Sequence, residues 1–133
     1  MKNSRLTRLA GGLAATAAVI SLSAATPASA RYLGTKSVST TGAAATCTVN
    51  TVSQFSADVT CYIYDTAKDG DTVYLRTKVN QFPEVRVNWN GGANTVGVYS
   101  ARRSSDSTFG FSINVCRDRS LAVDNCSGWV SFA

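Results

Sequence analysis

A two-residue alternation of β-branched or aromatic residues with polar ones is the feature that most constrains this fold. Residues 72–79 carry Val, Leu or Thr at every second position, and residues 85–89 repeat the pattern. Such alternation places successive side chains on opposite faces of a strand, and no segment shows the apolar period of a helix. The sequence therefore predicts an all-β protein, a small antiparallel β-sandwich, immunoglobulin-like or similar, of about seven or eight strands.

Turn sequences rich in Gly, Asn, Asp and Ser separate the alternating segments. The predicted strands are residues 32–40, 47–51, 59–64, 72–79, 84–89, 96–98, 109–115 and 129–132.

The pairing of the strands at 72–79 and 84–89 can be predicted by keeping their apolar sides on one face. This rule places Val79 opposite Val85 and therefore Lys78 opposite Arg86. With Arg76 nearby, these cations either extend separately into water or form a basic stripe for an acidic partner.

The first 30 residues show the pattern of a Sec signal peptide. Basic residues are followed by an alanine-rich apolar run and by an A-x-A cleavage site at 28–30. The apolar run is too short and too interrupted for a membrane span. The sequence thus predicts a secreted, extracellular protein that begins at Arg31.

Charge and composition limit the possible functions. Residues 31–133 contain 10 Lys and Arg against 8 Asp and Glu, a net charge of +2 that does not predict nucleic-acid binding. The chain has no His and one Glu, Glu84, so catalytic triads and His-ligated metals are excluded. We expect no enzyme activity, no catalytic residue, no cofactor and no metal site.

The four cysteines all follow the predicted signal peptide. In a small exported domain an even number of cysteines indicates disulfides. The spacing predicts two local bridges, Cys47–Cys61 and Cys116–Cys126, in preference to crossed pairings. A zinc site is disfavoured because no CxxC spacing occurs.

Residues 31–45 are expected to form an extended N-terminal arm that precedes a disulfide-stapled domain at 46–133. The arm is small and polar, and Tyr32, Leu33 and Val38 are its larger apolar side chains. It is either a frayed tail or a strand that binds another protein through main-chain hydrogen bonds and side-chain pockets.

Four aromatic residues are candidate binding residues. Tyr62, Tyr64 and Tyr74 are predicted on outward faces and would form one exposed patch if their strands were neighbours. They could equally be ordinary outer-face residues. Trp129 is predicted to be exposed, whereas Trp89 is predicted to lie in the core.

Two loops carry further candidate sites. Residues 117–125 form a polar, Arg-containing loop bracketed by Cys116 and Cys126, which is either a rigid protease-inhibitor loop or an ordinary surface loop. The acidic cluster Asp65, Asp69 and Asp71 lacks the order of a calcium loop, and a solvated turn is favoured.

The alanine-rich signal and the Ser/Thr/Val-rich domain with two local disulfides resemble small secreted proteins of streptomycetes and related actinobacteria. Among these, the chain is similar to the adaptor subunit of umbrella toxin particles in size, signal, disulfide-bearing β character and N-terminal arm. The resemblance implies an adaptor that joins lectin subunits to the repeats of a large toxin polypeptide through residues 31–45. Cysteine spacing distinguishes the chain from the neocarzinostatin-like apoproteins.

The expected function is therefore that of a non-catalytic secreted module for protein–protein interaction, acting as an adaptor in an extracellular toxin complex. One alternative is a carbohydrate-binding or antimicrobial module that uses the exposed aromatics. The other is a protease inhibitor that uses residues 117–125.

Overall fold

The computed structural model describes residues 31–132, in which all regular structure is β-strand. The predicted signal peptide, residues 1–30, lies outside this range. No membrane-spanning helix occurs between residues 31 and 132. The strands of this region are β1 (Arg31–Thr40), β2 (Ala43–Ser53), β3 (Ser56–Asp65), β4 (Thr72–Val79), β5 (Val85–Trp89), β6 (Val96–Ser104), β7 (Phe111–Asp118), β8 (Asn125–Cys126) and β9 (Val130–Phe132).

The strands form two antiparallel sheets packed face to face, as the alternation predicts. Sheet A has the order β1-β2-β3-β6, and sheet B has the order β5-β4-β7-β8, with β9 pairing with β7 at the other end of that strand. Strands β1 and β6 are therefore the two edges of sheet A. The predicted all-β sandwich is confirmed.

The core lies between the sheets and is made by every second residue of the central strands. In β2 and β3 the inward positions are almost fully buried while their neighbours stay partly accessible, which is the pattern of a strand with one core face. The large residues buried there include Val49, Val59, Ile63, Val73, Leu75, Val79, Phe111, Ile113, Val115 and Phe132.

Both predicted disulfides are confirmed. Cys47 pairs with Cys61 across β2 and β3, and both residues are fully buried in the core. Cys116 pairs with Cys126 across β7 and β8. The first bridge cross-links the centre of sheet A, and the second closes a hairpin at the edge of sheet B.

The predicted register between β4 and β5 is wrong by two residues. Val85 lies opposite Thr77 rather than Val79, and Arg86 lies opposite Arg76 rather than Lys78. A shift of two keeps the apolar face inward, so alternation alone could not detect the error. A turn follows β4 directly, in which the Phe82 amide donates to the Val79 carbonyl, and Lys78 and Val79 pair with β7 alone.

Residues 31–40, expected as part of an arm, form an edge strand of the sandwich. Strand β1 pairs along its length with β2, and Val38 is buried in the core. Residues 43–45, also assigned to the arm, begin β2, where Ala43 and Ala45 are buried. Removal of residues 31–45 would therefore disrupt sheet A rather than trim a tail.

We predict that replacing Cys47 and Cys61 together by Ala lowers the free energy of unfolding by about 3 kcal/mol, because the bridge restricts the unfolded chain across a separation of 14 residues. Urea denaturation followed by tryptophan fluorescence measures the change. An unchanged urea midpoint would show that this bridge does not stabilise the domain.

Candidate functional site

The hairpin formed by β7 and β8 presents a loop, residues 118–124, that we call the β7–β8 loop. Its base is closed by the Cys116–Cys126 disulfide and by the pairing of Arg117 with Asn125. The Asn125 side-chain amide also reaches the Thr41 carbonyl, 3.4 Å away, between β1 and β2. Contacts to both sheets therefore hold the base of the loop.

Arg117 fastens this base to the β3–β4 connection. Its guanidinium contacts the Asp69 carboxylate at 2.5 Å and the Asp71 carboxylate at 3.0 Å. All three side chains are mostly buried, so solvent screens these ion pairs less than exposed ones. Gly42, at φ 87°, makes room for the arginine, because a Cβ there would lie 2.8 Å from the Arg117 Cδ.

Two members of the acidic cluster, Asp69 and Asp71, are thus engaged with Arg117. Asp65 is buried and accepts a hydrogen bond from the Ala67 amide. Within residues 31–132, no group of three or more acidic or Cys side chains is arranged to hold a metal ion. Asp69 and Asp71 therefore help to hold the base of the β7–β8 loop through Arg117.

Tyr74 anchors the other side of the loop. Its hydroxyl donates to the Asp124 carboxylate at 2.5 Å, and the Arg86 guanidinium stacks 3.5 Å from the centre of its ring. The Arg119 amide also donates to Asp124. Tyr74 is only 5% exposed although it lies on the outer face of sheet B.

This anchor shifts the acid–base behaviour of both partners. Burial, and then the hydrogen bond to Asp124, raise the pKa of Tyr74. The Tyr74 hydroxyl and the Arg119 amide lower the pKa of Asp124. The hydrogen bond therefore requires neutral Tyr74 and ionised Asp124, the forms present near neutral pH.

The tip of the loop exposes two apolar side chains on this anchored base. Leu121 is 99% exposed and Val123 is 89% exposed. A turn in which the Ala122 amide donates to the Arg119 carbonyl shapes the tip. A cavity of about 260 Å³ lies beside it, lined by Asp69, Asp71, Arg117, Arg119, Ser120, Leu121 and Ala122.

Two of the three cations predicted as a basic stripe, Arg76 and Arg86, are paired with nearby acids. Arg76 makes a bidentate contact with Glu84, and Arg86 contacts Asp118 at 2.7 Å. Two arginines lie directly opposite each other in the register, and each is neutralised by a carboxylate. Lys78 lies farther along β4, opposite Ser112 of β7.

The candidate aromatic residues do not form one surface. Tyr62 and Tyr64 lie on sheet A, with Tyr62 exposed and Tyr64 half-buried, whereas Tyr74 lies on sheet B under Arg86. The expectation that Tyr74 is an exposed patch residue is wrong. Trp129 is 42% exposed, as predicted, but the Arg76 guanidinium lies 5.1 Å from its ring centre. The glycan-binding alternative thus lacks a shared aromatic platform.

The residues proposed for docking by the N-terminal arm have three different environments. Tyr32 is exposed and its hydroxyl bonds to that of Thr35, Leu33 is partly buried against the core, and Val38 is buried within it. Only Tyr32 of these is open to a partner. Trp89, predicted in the core, is half-buried against it.

The sequence indicates the disulfide-bracketed loop as a candidate site but does not distinguish Leu121 and Val123 within it. The available signal was two apolar residues in an otherwise polar loop. Their near-complete exposure could not be read from the sequence, because it depends on the turn that lifts them away from both sheets.

No protein-family model, curated protein or solved structure matches the chain.

We predict that Arg117→Met lowers the free energy of unfolding by about 1–2 kcal/mol, because it leaves two partly buried carboxylates without their shared cation. Arg102→Met is the matched control. Its ion pair with Asp58 is largely exposed, and such pairs contribute about 0–1 kcal/mol. Equal losses for the two variants in urea denaturation would contradict the anchoring role of Arg117.

We predict that the loop loosens as the pH falls through the acidic range. The pKa of Asp124 is lower in the folded protein than in the unfolded chain. Its contribution to stability is therefore complete above the unfolded pKa and is lost as the pH falls towards the folded pKa. Hydrogen exchange of the Arg119 amide should quicken in this range relative to a core amide such as that of Leu75. Tyr74→Phe, which removes the hydroxyl, should make hydrogen exchange of the Arg119 amide less dependent on pH. An unaltered pH dependence would assign the titration to another group.

Proposed function

We propose that this protein is a secreted, non-catalytic binding module that contacts another protein through the β7–β8 loop. The observation that carries the proposal is the exposure of Leu121 and Val123 on a loop whose base is anchored by a disulfide, by Arg117 and by Asp124. Exposed apolar side chains on a rigid support are typical of interaction sites.

Rigidity of the base favours binding through this loop. A flexible loop loses conformational entropy when it docks, whereas an anchored loop has lost much of it on folding. Burying Leu121 and Val123 against a partner would contribute about 1.5–3 kcal/mol for each side chain. The cavity beside Leu121 provides a recess for a partner side chain.

The absence of catalysis is supported by the chemistry of the chain. There is no His for general acid–base work. Six of the eight described carboxylates hold arginines or the Tyr74 hydroxyl, and these are Asp58, Asp69, Asp71, Glu84, Asp118 and Asp124. A carboxylate engaged in this way already has a hydrogen-bonding partner within the protein and is not free to contact a substrate.

More specifically, we propose that the protein is an adaptor in an extracellular toxin complex, with a lectin subunit and a large repeat-containing polypeptide as its partners. Its support is the resemblance to small actinobacterial secreted proteins and to umbrella-toxin adaptors. Since β1 is part of sheet A, the proposal now assigns partner contact to the β7–β8 loop rather than to a free N-terminal arm.

The test is affinity capture from the extracellular proteins of the source organism with wild-type protein and with the Leu121→Asp/Val123→Asp variant. Both side chains are exposed, so the variant should keep its thermal midpoint. We expect at least one captured protein to fall more than about tenfold in recovery, measured by quantitative mass spectrometry.

Phe55→Asp is the matched control, because Phe55 is an exposed apolar residue in the turn between β2 and β3. It should capture the same proteins as the wild type. A captured set that is identical for the loop variant and the wild type would refute the loop as the contact site.

The protease-inhibitor alternative predicts slow cleavage and tight inhibition of a trypsin-like or subtilisin-like protease. We expect no inhibition, since the turn closed by the Arg119 carbonyl and the Ala122 amide is not the extended shape that fits a protease cleft. A steady-state protease assay with synthetic substrates measures inhibition. Stoichiometric inhibition would identify the protein as a protease inhibitor.

A further inference from the structure

The two edges of sheet A differ in their openness to another strand. Strand β1 has a register irregularity between Tyr32 and Gly34, and the Lys36 ammonium reaches the Ser131 carbonyl of β9, 2.7 Å away. Bulges and lysines are common means of protecting an edge. Strand β6 runs nine residues in continuous register with β3, and no other strand of the described region pairs with it.

Apolar side chains accompany the open edge of β6. Val98 is 64% exposed and Val96 is 46% exposed on the outer face. They lie opposite Tyr62 and Tyr64 of β3. The start of β6 therefore combines free main-chain groups with an apolar strip, the two features that favour pairing with another strand.

Arg103, near the end of β6, carries a charge that the sandwich leaves unpaired. Its side chain points between the sheets, where the guanidinium donates to the Thr77 hydroxyl at 3.3 Å and to the Tyr99 hydroxyl at 3.1 Å. It is half-buried, and no carboxylate within residues 31–132 forms an ion pair with it. Arg103 is thus a half-buried cation whose hydrogen-bond partners in the described region are both neutral hydroxyls.

The neighbouring arginine shows how a cation of β6 is neutralised. Arg102 lies opposite Asp58 of β3 and makes a bidentate contact with its carboxylate, at 2.7 and 2.8 Å. Arg103 lies opposite Ala57, so β3 offers it no acid. The remaining cross-strand position next to Arg103 is on the open side of β6.

We propose that β6 accepts an extended segment of a partner protein as a further strand of sheet A, and that the segment carries an acidic residue opposite Arg103. Side chains opposite each other on adjacent strands lie about 5 Å apart on the same face. The carboxylate would therefore meet the guanidinium as Asp58 meets Arg102. Main-chain hydrogen bonds would supply affinity, and this ion pair would supply selectivity.

A second copy of β6 cannot supply the acidic residue that the proposal places opposite Arg103. Strand β6 contains two arginines and no acidic residue, so antiparallel self-pairing leaves Arg103 without a carboxylate in every register. Self-pairing of β6 is therefore disfavoured, and we assign the occupant to a different protein.

Register predicts the pattern of the bound segment. Val98 and Val96 are five and seven positions from Arg103 and point to the opposite face. The partner should therefore carry β-branched or aromatic residues five and seven positions from its acidic residue, in either strand direction. This surface is separate from the β7–β8 loop, so the inference does not depend on the proposed function.

The experiment is selection of binders to the full chain from a displayed library of random linear dodecapeptides. Enriched peptides should share an acidic residue with apolar residues five and seven positions away. Hydrogen exchange of the complex should show slowed exchange at amides of β6 and not at those of β1. Synthetic peptides in which Asn replaces the acidic residue should bind more than about tenfold more weakly.

Arg103→Gln should remove the preference for the acidic peptide over its Asn form, and Arg102→Gln is the matched control that should retain it. Thermal denaturation separates a binding role from a structural one. Arg103→Gln also removes the hydrogen bonds to Thr77 and Tyr99, so peptide binding is measured below the thermal midpoints of both variants. Loss of the acidic preference in folded Arg103→Gln then reports binding.

Three results would overturn the proposal. The first is failure to select any peptide that protects β6, which would identify Arg103 as an inward charge that blocks edge pairing. The second is equal loss of peptide affinity in the Arg102 and Arg103 variants. The third is concentration-dependent dimerisation in analytical ultracentrifugation with slowed exchange in β6, which would make a second copy the occupant.

Discussion

The shared layer of inward side chains between the two sheets is the constraint on which the rest of the molecule depends. A chain of this size has one core to bury, and each strand contributes every second residue to it. The Cys47–Cys61 bridge lies within that layer. Polar chemistry is therefore directed to the outer faces, the edges and the loops, and these are the places where binding can occur.

Ion pairs and aromatic contacts on the outer faces serve mainly to organise the molecule. Arg117 joins the β3–β4 connection to the hairpin, and Tyr74 joins β4 to the same hairpin through Asp124. The β7–β8 loop is consequently attached at both sides, while Leu121 and Val123 remain outside these contacts. An anchored base with an exposed apolar tip distinguishes this loop from an ordinary surface connection.

The β7–β8 loop and Arg103 lie towards opposite ends of the sandwich, whereas Val96 and Val98 of β6 lie opposite the end of β3, at the same end as the loop. The β7–β8 loop follows the end of β7 and lies beside the β3–β4 connection, whereas Arg103 lies opposite the start of β3 and near the end of β4. The loop belongs to sheet B and the β6 edge to sheet A, so the two are separate surfaces. This arrangement is compatible with the adaptor role proposed for the protein, because an adaptor contacts two partners at once.

Sequence alone determined the class of fold, the main strands and both disulfides, because alternation and cysteine spacing are local properties of the chain. It did not determine the register of β4 and β5, since a two-residue slip keeps the same faces inward. Nor did it reveal that Tyr74 is buried beneath Arg86, or that Arg103 lacks a carboxylate while Arg102 has one. Those facts depend on which strands become neighbours and which residues they bring opposite each other, and only the tertiary structure decides that.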